Sequence, residues 1–248
     1  MAEDYAKDIK QRMIKIAKIM YDKDLTDTIG GNIAVREGDR IFVTRTGASI
    51  IKQWDIDEDW IIETDLKGRT KKKEDQDQLS HGSSTLMRLV ISIPTIRCAM
   101  HGHAKYIMPF SSLRIAMPIV NRFPRNQGFP PYIECILNKP TDCKPESYAI
   151  LKYFKYLYDR NPNTAFACMS PGHGLFVGGR NLEDAFKKFH ILDGNARTFL
   201  MMEKIKSFPY YQEARAREKD NLYVYWADIE RTKVEEYDFV FEESGMFD

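Results

Sequence analysis

Hydrophobic and polar positions alternate with two different periods along this chain, and the switches between them outline the elements. Residues 3 to 22 carry Tyr5, Ile9, Met13, Ile16, Ala17 and Met20 at helical spacing with lysines between them, the pattern of an amphipathic helix resting on a core. Two short strand-like runs follow, Ile33–Arg36 and Arg40–Thr44, and Glu37-Gly38-Asp39 between them suits a hairpin. Trp60–Thr64 and the Lys67-Gly68 turn predict a second hairpin. Leu86, Met87, Leu89, Val90 and Ile93 predict a helix capped by Ser83 or Ser84 and ended by Pro94. The apolar run Ile96–Met100 then reads as a strand.

Further on, a short helix is expected from Ala104, followed by a loop-rich passage containing Pro118, Pro124, Pro130 and Pro131. Pro145 or Glu146 opens a helix to about Tyr158. Ala165–Met169 and Leu175–Val177 read as buried strands, and Asn181 precedes a long helical pattern to about Lys206. His190 falls inside that helix among Phe186, Phe189 and Leu192, which predicts a packed, structural histidine. Beyond 206 the aromatic, alternating segments Leu222–Trp226 and Tyr237–Phe241 suggest a terminal hairpin. Strands and helices alternate without a break, so we expect one α/β domain over 1–206 and an aromatic extension over 207–248.

Bulk composition narrows the function classes. Lys and Arg number 37 against 36 Asp and Glu, leaving +1, and the one basic knot at Arg69–Lys73 is answered at once by Glu74, Asp75 and Asp77. That balance argues against a nucleic-acid partner. No apolar run reaches the length of a membrane span, and the acidic N-terminus lacks a signal-peptide core. Four cysteines (Cys98, Cys135, Cys143, Cys168) show no C-x-x-C spacing, which suits reduced thiols in a cytoplasmic protein.

The candidate chemistry centres on His101-Gly102-His103. Two of only five histidines stand two apart at the end of an apolar run. On a strand both imidazoles project to one face, the convergence a transition metal needs, with nitrogen donors at about 2.0–2.1 Å for zinc. Ordinary strand-end histidines are the bland alternative. His173, in Ser170-Pro171-Gly172-His173-Gly174-Leu175, is the best third donor. Three histidines with an open fourth position is the catalytic rather than the structural zinc pattern. A second constellation joins Gly30-Gly31-Asn32 with Thr46-Gly47 and Ser80, whose backbone N–H groups, amide and hydroxyls suit an anion such as phosphate. A metal beside a phosphate pocket suggests chemistry on a phosphorylated small molecule with a carbonyl or enediolate to polarise.

The order Gly31-Asn32, Thr44-Arg45-Thr46-Gly47, Ser80, His101-Gly102-His103 and His173-Gly174-Leu175 resembles the class II aldolase/adducin superfamily, over roughly residues 8 to 205. The resemblance implies a three-layer α/β/α fold on a mixed, largely antiparallel sheet. It also implies a zinc held by His101, His103 and His173, and a substrate phosphate facing Gly31, Asn32, Thr46, Gly47 and Ser80. A fourfold homotetramer with sites between subunits is the usual assembly. The implied activity is metal-dependent aldol cleavage of a small phosphorylated sugar or keto compound; epimerase or dehydratase chemistry on a ketose phosphate, or an adducin-like binding role without catalysis, are the alternatives. The chain departs from the pattern in two places. The family's acid/base carboxylate stands nineteen positions before the first histidine of the pair, where this chain has Gly82. Glycine cannot move a proton, so His81 is the candidate replacement, as acid/base or fourth metal ligand; a shifted loop bringing Asp75 or Asp77 is the other route. A substrate-facing tyrosine is replaced by Arg122, a better anion clamp than proton donor.

Overall fold

The structure is a computed structural model that describes residues 2–70, 72–136, 144–209 and 211. Helix α1 (Ala2–Asp22) leads into strands β1 (Asn32–Glu37) and β2 (Arg40–Thr44), then β3 (Ile61–Asp65) after one 3-10 turn at Glu58–Trp60. Helices α2 (Lys73–Gln76) and α3 (His81–Ser92) precede the strand β4 (Cys98–Gly102). A stretch of short elements follows: α4 (Met108–Leu113), β5 (Met117–Pro118), α5 (Arg122–Asn126) and β6 (Tyr132–Ile133). The run ends with α6 (Lys144–Arg160), β7 (Phe166–Ser170), β8 (Gly174–Gly179) and α7 (Leu182–Lys206).

Six strands form one sheet in the order β3-β2-β1-β4-β8-β7, and every pairing between them is antiparallel. The only parallel contact among the described residues is an isolated bridge between Cys135 and Met169. Strand β4 is central, with Asn32 opposite His101 on one side and Phe176 opposite His101 on the other. Its two faces meet different helices. Gly102 and Gly179 turn towards α7: a Cβ at Gly102 would lie 3.1 Å from the Phe189 ring, and one at Gly179 would lie 2.8 Å from the Ala185 Cβ. On the opposite face, a Cβ at Gly82 of α3 would meet the side chain of Asn32, the cross-strand neighbour of His101. Helices α3 and α6 pack together on that side. The result is the expected three-layer α/β/α arrangement.

Core composition follows the period of each element. The α1 stripe Ile9, Met13, Ile16, Ala17 and Met20 is buried, and α1 is tied to α7 by a bidentate Arg12–Glu183 pair at 2.7–2.8 Å. Strands β4 and β8 and the edge strand β7 are buried at every position, as continuous apolar strands are when both faces are covered. No helix among the described residues is long and apolar enough to cross a membrane.

Several sequence expectations need correction. The histidine strand begins and ends two residues later than the apolar run suggested, so His101 lies within β4 rather than beyond it. The turn at Lys67-Gly68 does not build a full second hairpin: β3 pairs with β2, and the return chain makes only a Thr64–Thr70 bridge. The cap of α3 is Ser80, whose Oγ accepts the Ser83 N–H at 3.0 Å, because the helix starts at His81, five residues before its apolar stripe begins at Leu86. Residues 104–107 form a turn, and α4 starts at Met108. His190 is exposed, stacked on Phe186 with centroids 6.0 Å apart, rather than packed in the core. Contacts group the chain into Met1–Phe199 and Leu200–Asp248, and the extension expected over 207–248 falls almost wholly outside the described residues. The aromatic segments Leu222–Trp226 and Tyr237–Phe241 lie outside the described residues, as does Cys143.

Candidate metal centre

His101 and His103 come from β4 and the residue just past it, and His173 from the turn joining β7 to β8. Because β4 pairs with β8, that turn lies beside the end of β4. The three side chains offer ligand nitrogens that all lie within 4.8 Å of one another. Ring centroids are 4.5 Å apart for His101–His173, 5.3 Å for His101–His103 and 5.6 Å for His103–His173. Such spacing is what a single ion bridging three imidazoles requires.

The Nδ1 atoms are all engaged. His101 Nδ1 lies 3.0 Å from the Leu175 carbonyl oxygen, His103 Nδ1 3.0 and 3.1 Å from the Asp27 carboxylate, and His173 Nδ1 2.7 Å from Glu146 Oε1. A carbonyl or carboxylate oxygen only accepts, so each Nδ1 donates its proton, and the lone pair of a neutral ring falls on Nε2. The Nε2 atoms of His101 and His103 are buried without a hydrogen-bond partner. Two buried lone pairs left idle would cost free energy; a divalent ion would satisfy them. Burial first, and then the neighbouring His173 and His103, hold the His101 pKa well below its usual value, so this ring is neutral and ready to donate. The residues present therefore fit a transition-metal ion of the zinc type.

Close packing fixes the rings. Phe176 stacks on His101 at 4.2 Å and 15°. Gly30 lies against the face of His103, where a Cβ would fall 2.4 Å from Cε1. Gly174, at φ +130°, packs the same ring from another side, 3.1 Å from a Cβ to Cδ2. The glycine turn read as an anion nest thus also clears space for a histidine. Asp27 anchors the turn: its Oδ1 accepts from the Ile29 and Gly30 N–H groups at 2.8 and 2.9 Å. Burial pushes the Asp27 carboxyl up, but those backbone donors and His103 outweigh it and hold the pKa below the usual carboxylate value.

Of the residues read as a phosphate site, Asn32 and Ser80 meet at the start of α3. Asn32 Nδ2 lies 3.4 Å from Ser80 Oγ and 3.3 Å from Ser83 Oγ; Ser83 Oγ in turn donates to the Thr44 carbonyl at 3.2 Å. Thr46 donates its N–H to the Gln78 carbonyl at 2.9 Å, so its hydroxyl, on an exposed side chain, is its free-facing group. Gly47 turns at φ +85°, and Gly31 at φ +117°, where a side chain would strain the backbone. Gly82 is buried in the first turn of α3, and the Asn32 Oδ1 fills its side-chain space at 2.2 Å from a Cβ. Restoring an acid there would require Asn32 to move.

His81 begins α3 with its side chain exposed, outside the histidine cluster. Arg122 begins α5, exposed and likewise outside that cluster. Asp75 lies on α2 and Asp77 at its C-cap, and neither belongs to the cluster. Sequence reasoning passed over Asp27 and Glu146, the two carboxylates that hold the histidines. Only their proximity to glycine and proline breaks marked them, and that is no signal of ligation.

A histidine triad with the spacing of a metal site, at the end of an antiparallel sheet and beside a serine-capped helix, defines the class of this α/β/α protein. Residues 11–200 match the family described as the Class II Aldolase and Adducin N-terminal domain, and the chain belongs to it. An L-fuculose phosphate aldolase of Methanocaldococcus jannaschii is 27% identical over 206 residues, 79% of this chain and 98% of its own length. The L-fuculose phosphate aldolase of Methanococcus maripaludis is 22% identical over 201 residues, 78% of this chain and 97% of its own. In fold the chain is similar to an L-fuculose 1-phosphate aldolase, with a TM-score of 0.68 at 20% identity over 82% of this chain and 89% of that one.

Proposed function

We propose that this chain is a divalent-metal-dependent aldolase of the zinc type, cleaving or forming a carbon–carbon bond in a small phosphorylated sugar or keto compound. The observation that carries this reading is the convergence of His101, His103 and His173 with every Nδ1 engaged and two Nε2 atoms buried without partners. Relatives named as sugar-phosphate aldolases support the substrate class. A metal bound by the three histidines supplies a Lewis acid for the substrate carbonyl.

The remaining residues bind and orient. Asn32, Ser80, Gly31, Gly47 and the Thr46 hydroxyl hold the phosphate at the first turn of α3, where outward N–H groups and the helix dipole favour an anion. Arg122 contributes a further cationic contact to a substrate anion. His81 takes and returns the proton that Gly82 cannot, from an exposed position at the first residue of α3. The family's usual assembly, a homotetramer with sites between subunits, belongs to this reading, and sedimentation of the purified protein tests it.

The experiment is metal analysis of the purified protein together with a His101→Ala variant. One zinc, cobalt or manganese per chain and loss of both metal and cleavage in the variant are expected; a protein without stoichiometric metal, or with unchanged activity after the substitution, refutes the reading. Gly82 favours a second reading on the same site, epimerisation or dehydration of a ketose phosphate, since it removes the aldolase acid/base position. Products separate the two: cleavage gives two carbonyl fragments, epimerisation and dehydration an intact carbon skeleton.

A further inference from the structure

Resting on the metal reading above, we propose that Asp27 and Glu146 are positioning residues that orient His103 and His173 as ligands and balance the ion's charge from outside the coordination shell. Neither is a motif residue of the chain, and they come from separate elements: Asp27 from the loop before β1, Glu146 from the first turn of α6.

Glu146 is 3% exposed. Its Oε1 accepts from His173 Nδ1 at 2.7 Å and from the Ser170 hydroxyl, two residues at the ends of the β7–β8 turn. Burying a carboxylate is expensive unless hydrogen bonds satisfy it, and here its partners are a ligand candidate and the turn that presents it. Asp27 grips the edge of His103 with both oxygens, while the loop it organises presses Gly30 on the ring face. A carboxylate on the distal nitrogen fixes the tautomer and raises ligand basicity.

His101 needs no such device. Its Nδ1 donates to the Leu175 carbonyl of β8 and its ring stacks on Phe176, its cross-strand neighbour, so the sheet itself sets its direction. The division of labour follows from position: the ligand inside β4 is held by backbone, and the two at strand ends borrow carboxylates from loop and helix. Charge points the same way. A divalent ion on three neutral imidazoles carries two positive charges; Gly82 offers no balancing acid, whereas Asp27 and Glu146 place two carboxyl groups one hydrogen bond beyond the ligands.

The test uses the full chain and Zn2+ as probe, titrated against a chromophoric chelator, with Asp27→Asn and Glu146→Gln variants. Each is expected to weaken Zn2+ binding by about 10–100-fold, to shrink the Zn2+-induced rise in Tm, and to shift the visible bands of the Co2+-loaded protein. A residue with only a structural role would lower the Tm of the metal-free protein and leave Zn2+ affinity and the Co2+ spectrum unchanged; that result overturns the inference. Asp27→Asn keeps an oxygen for the Ile29 and Gly30 N–H groups on a side chain 42% exposed, so it decides the matter if Glu146→Gln does not fold. Failure of the unsubstituted chain to bind Zn2+ or Co2+ overturns the metal reading itself, and is distinguished by appearing before any variant is made.

Discussion

Replacing Gly30 by alanine adds one methyl group, and the geometry says where it goes. The new Cβ would lie 2.4 Å from His103 Cε1, 2.8 Å from Nε2 and 3.3 Å from Nδ1. Carbon contacts settle at about 3.5–4.0 Å, so the ring or the loop must yield by roughly 1 Å. Neither can yield alone, because the Gly30 N–H is bound to the Asp27 carboxylate that also holds His103. Metal–nitrogen distances tolerate about ±0.2 Å. A displacement several times larger predicts zinc binding weaker by about 10–100-fold, the range seen when ligand orientation is lost, and turnover lower by about 100-fold. Folding suffers less: Gly30 has no positive φ, so alanine restricts the unfolded chain and gains about 0.4–1 kcal/mol, against an overpacking cost of about 1–3 kcal/mol. A chelator competition reads the affinity and a thermal melt the stability. Gly194→Ala is the control, since a Cβ there meets nothing within 4 Å inside α7; it should raise Tm and leave zinc binding alone. Wild-type zinc affinity in a folded Gly30→Ala protein would refute the account of His103.

Two further outcomes concern α7. Asn195 is fully buried, accepts the Val120 and Asn121 N–H groups at 2.9 and 3.0 Å and donates to the Pro118 carbonyl at 2.8 Å; Asn195→Ala leaves three backbone groups unpaired and should cost about 3 kcal/mol or more in urea unfolding, whereas a loss below about 1 kcal/mol would show that the segment leading to Arg122 is held otherwise. Burial pushes the Asp193 carboxyl up to about 6, against the opposing pull of the Tyr106 N–H. A raised acid binds its proton more tightly in the folded state, so its contribution is present at low pH and lost as pH rises from about 4 to about 6, a change on the order of 2–3 kcal/mol. Asp193→Asn should flatten that part of the stability–pH curve; an unchanged slope would refute the assignment.

Much of the fold was legible because burial writes itself as period. β2 begins and ends where the alternation of Arg40–Thr44 says, β1 and β8 extend their predicted runs by one or more residues at each end, and β7 lies one residue later than predicted. Caps were less legible: Ser80, Ser83 and Ser84 are chemically alike at the entrance to α3, and only the backbone at Ser80 shows which one caps. The histidine triad could be assembled from spacing plus an ordered set of motifs. Its supports could not, since Asp27 meets His103 across 76 residues and Glu146 meets His173 across 27. Contacts of that kind exist only after the sheet has formed. The exposure of His190 escaped because the apolar stripe of α7 passes beside it: Phe189 is fully buried while its neighbour faces out.

The position of β4 has a consequence for how the chain comes to its final state. Its neighbours are β1, already synthesised, and β8, some seventy residues later in the chain. During synthesis β1, β2 and β3 can form a local antiparallel meander, and β4 can join it, but its far edge then stands unpaired, with Cys98, Ala99 and Met100 uncovered. Open apolar edges are where nascent sheets mispair or aggregate, and this one is covered only when β8 pairs with β4. The same event delivers His173. Before it only two of the three histidines stand together, and any site they form is completed by the last strand of the sheet.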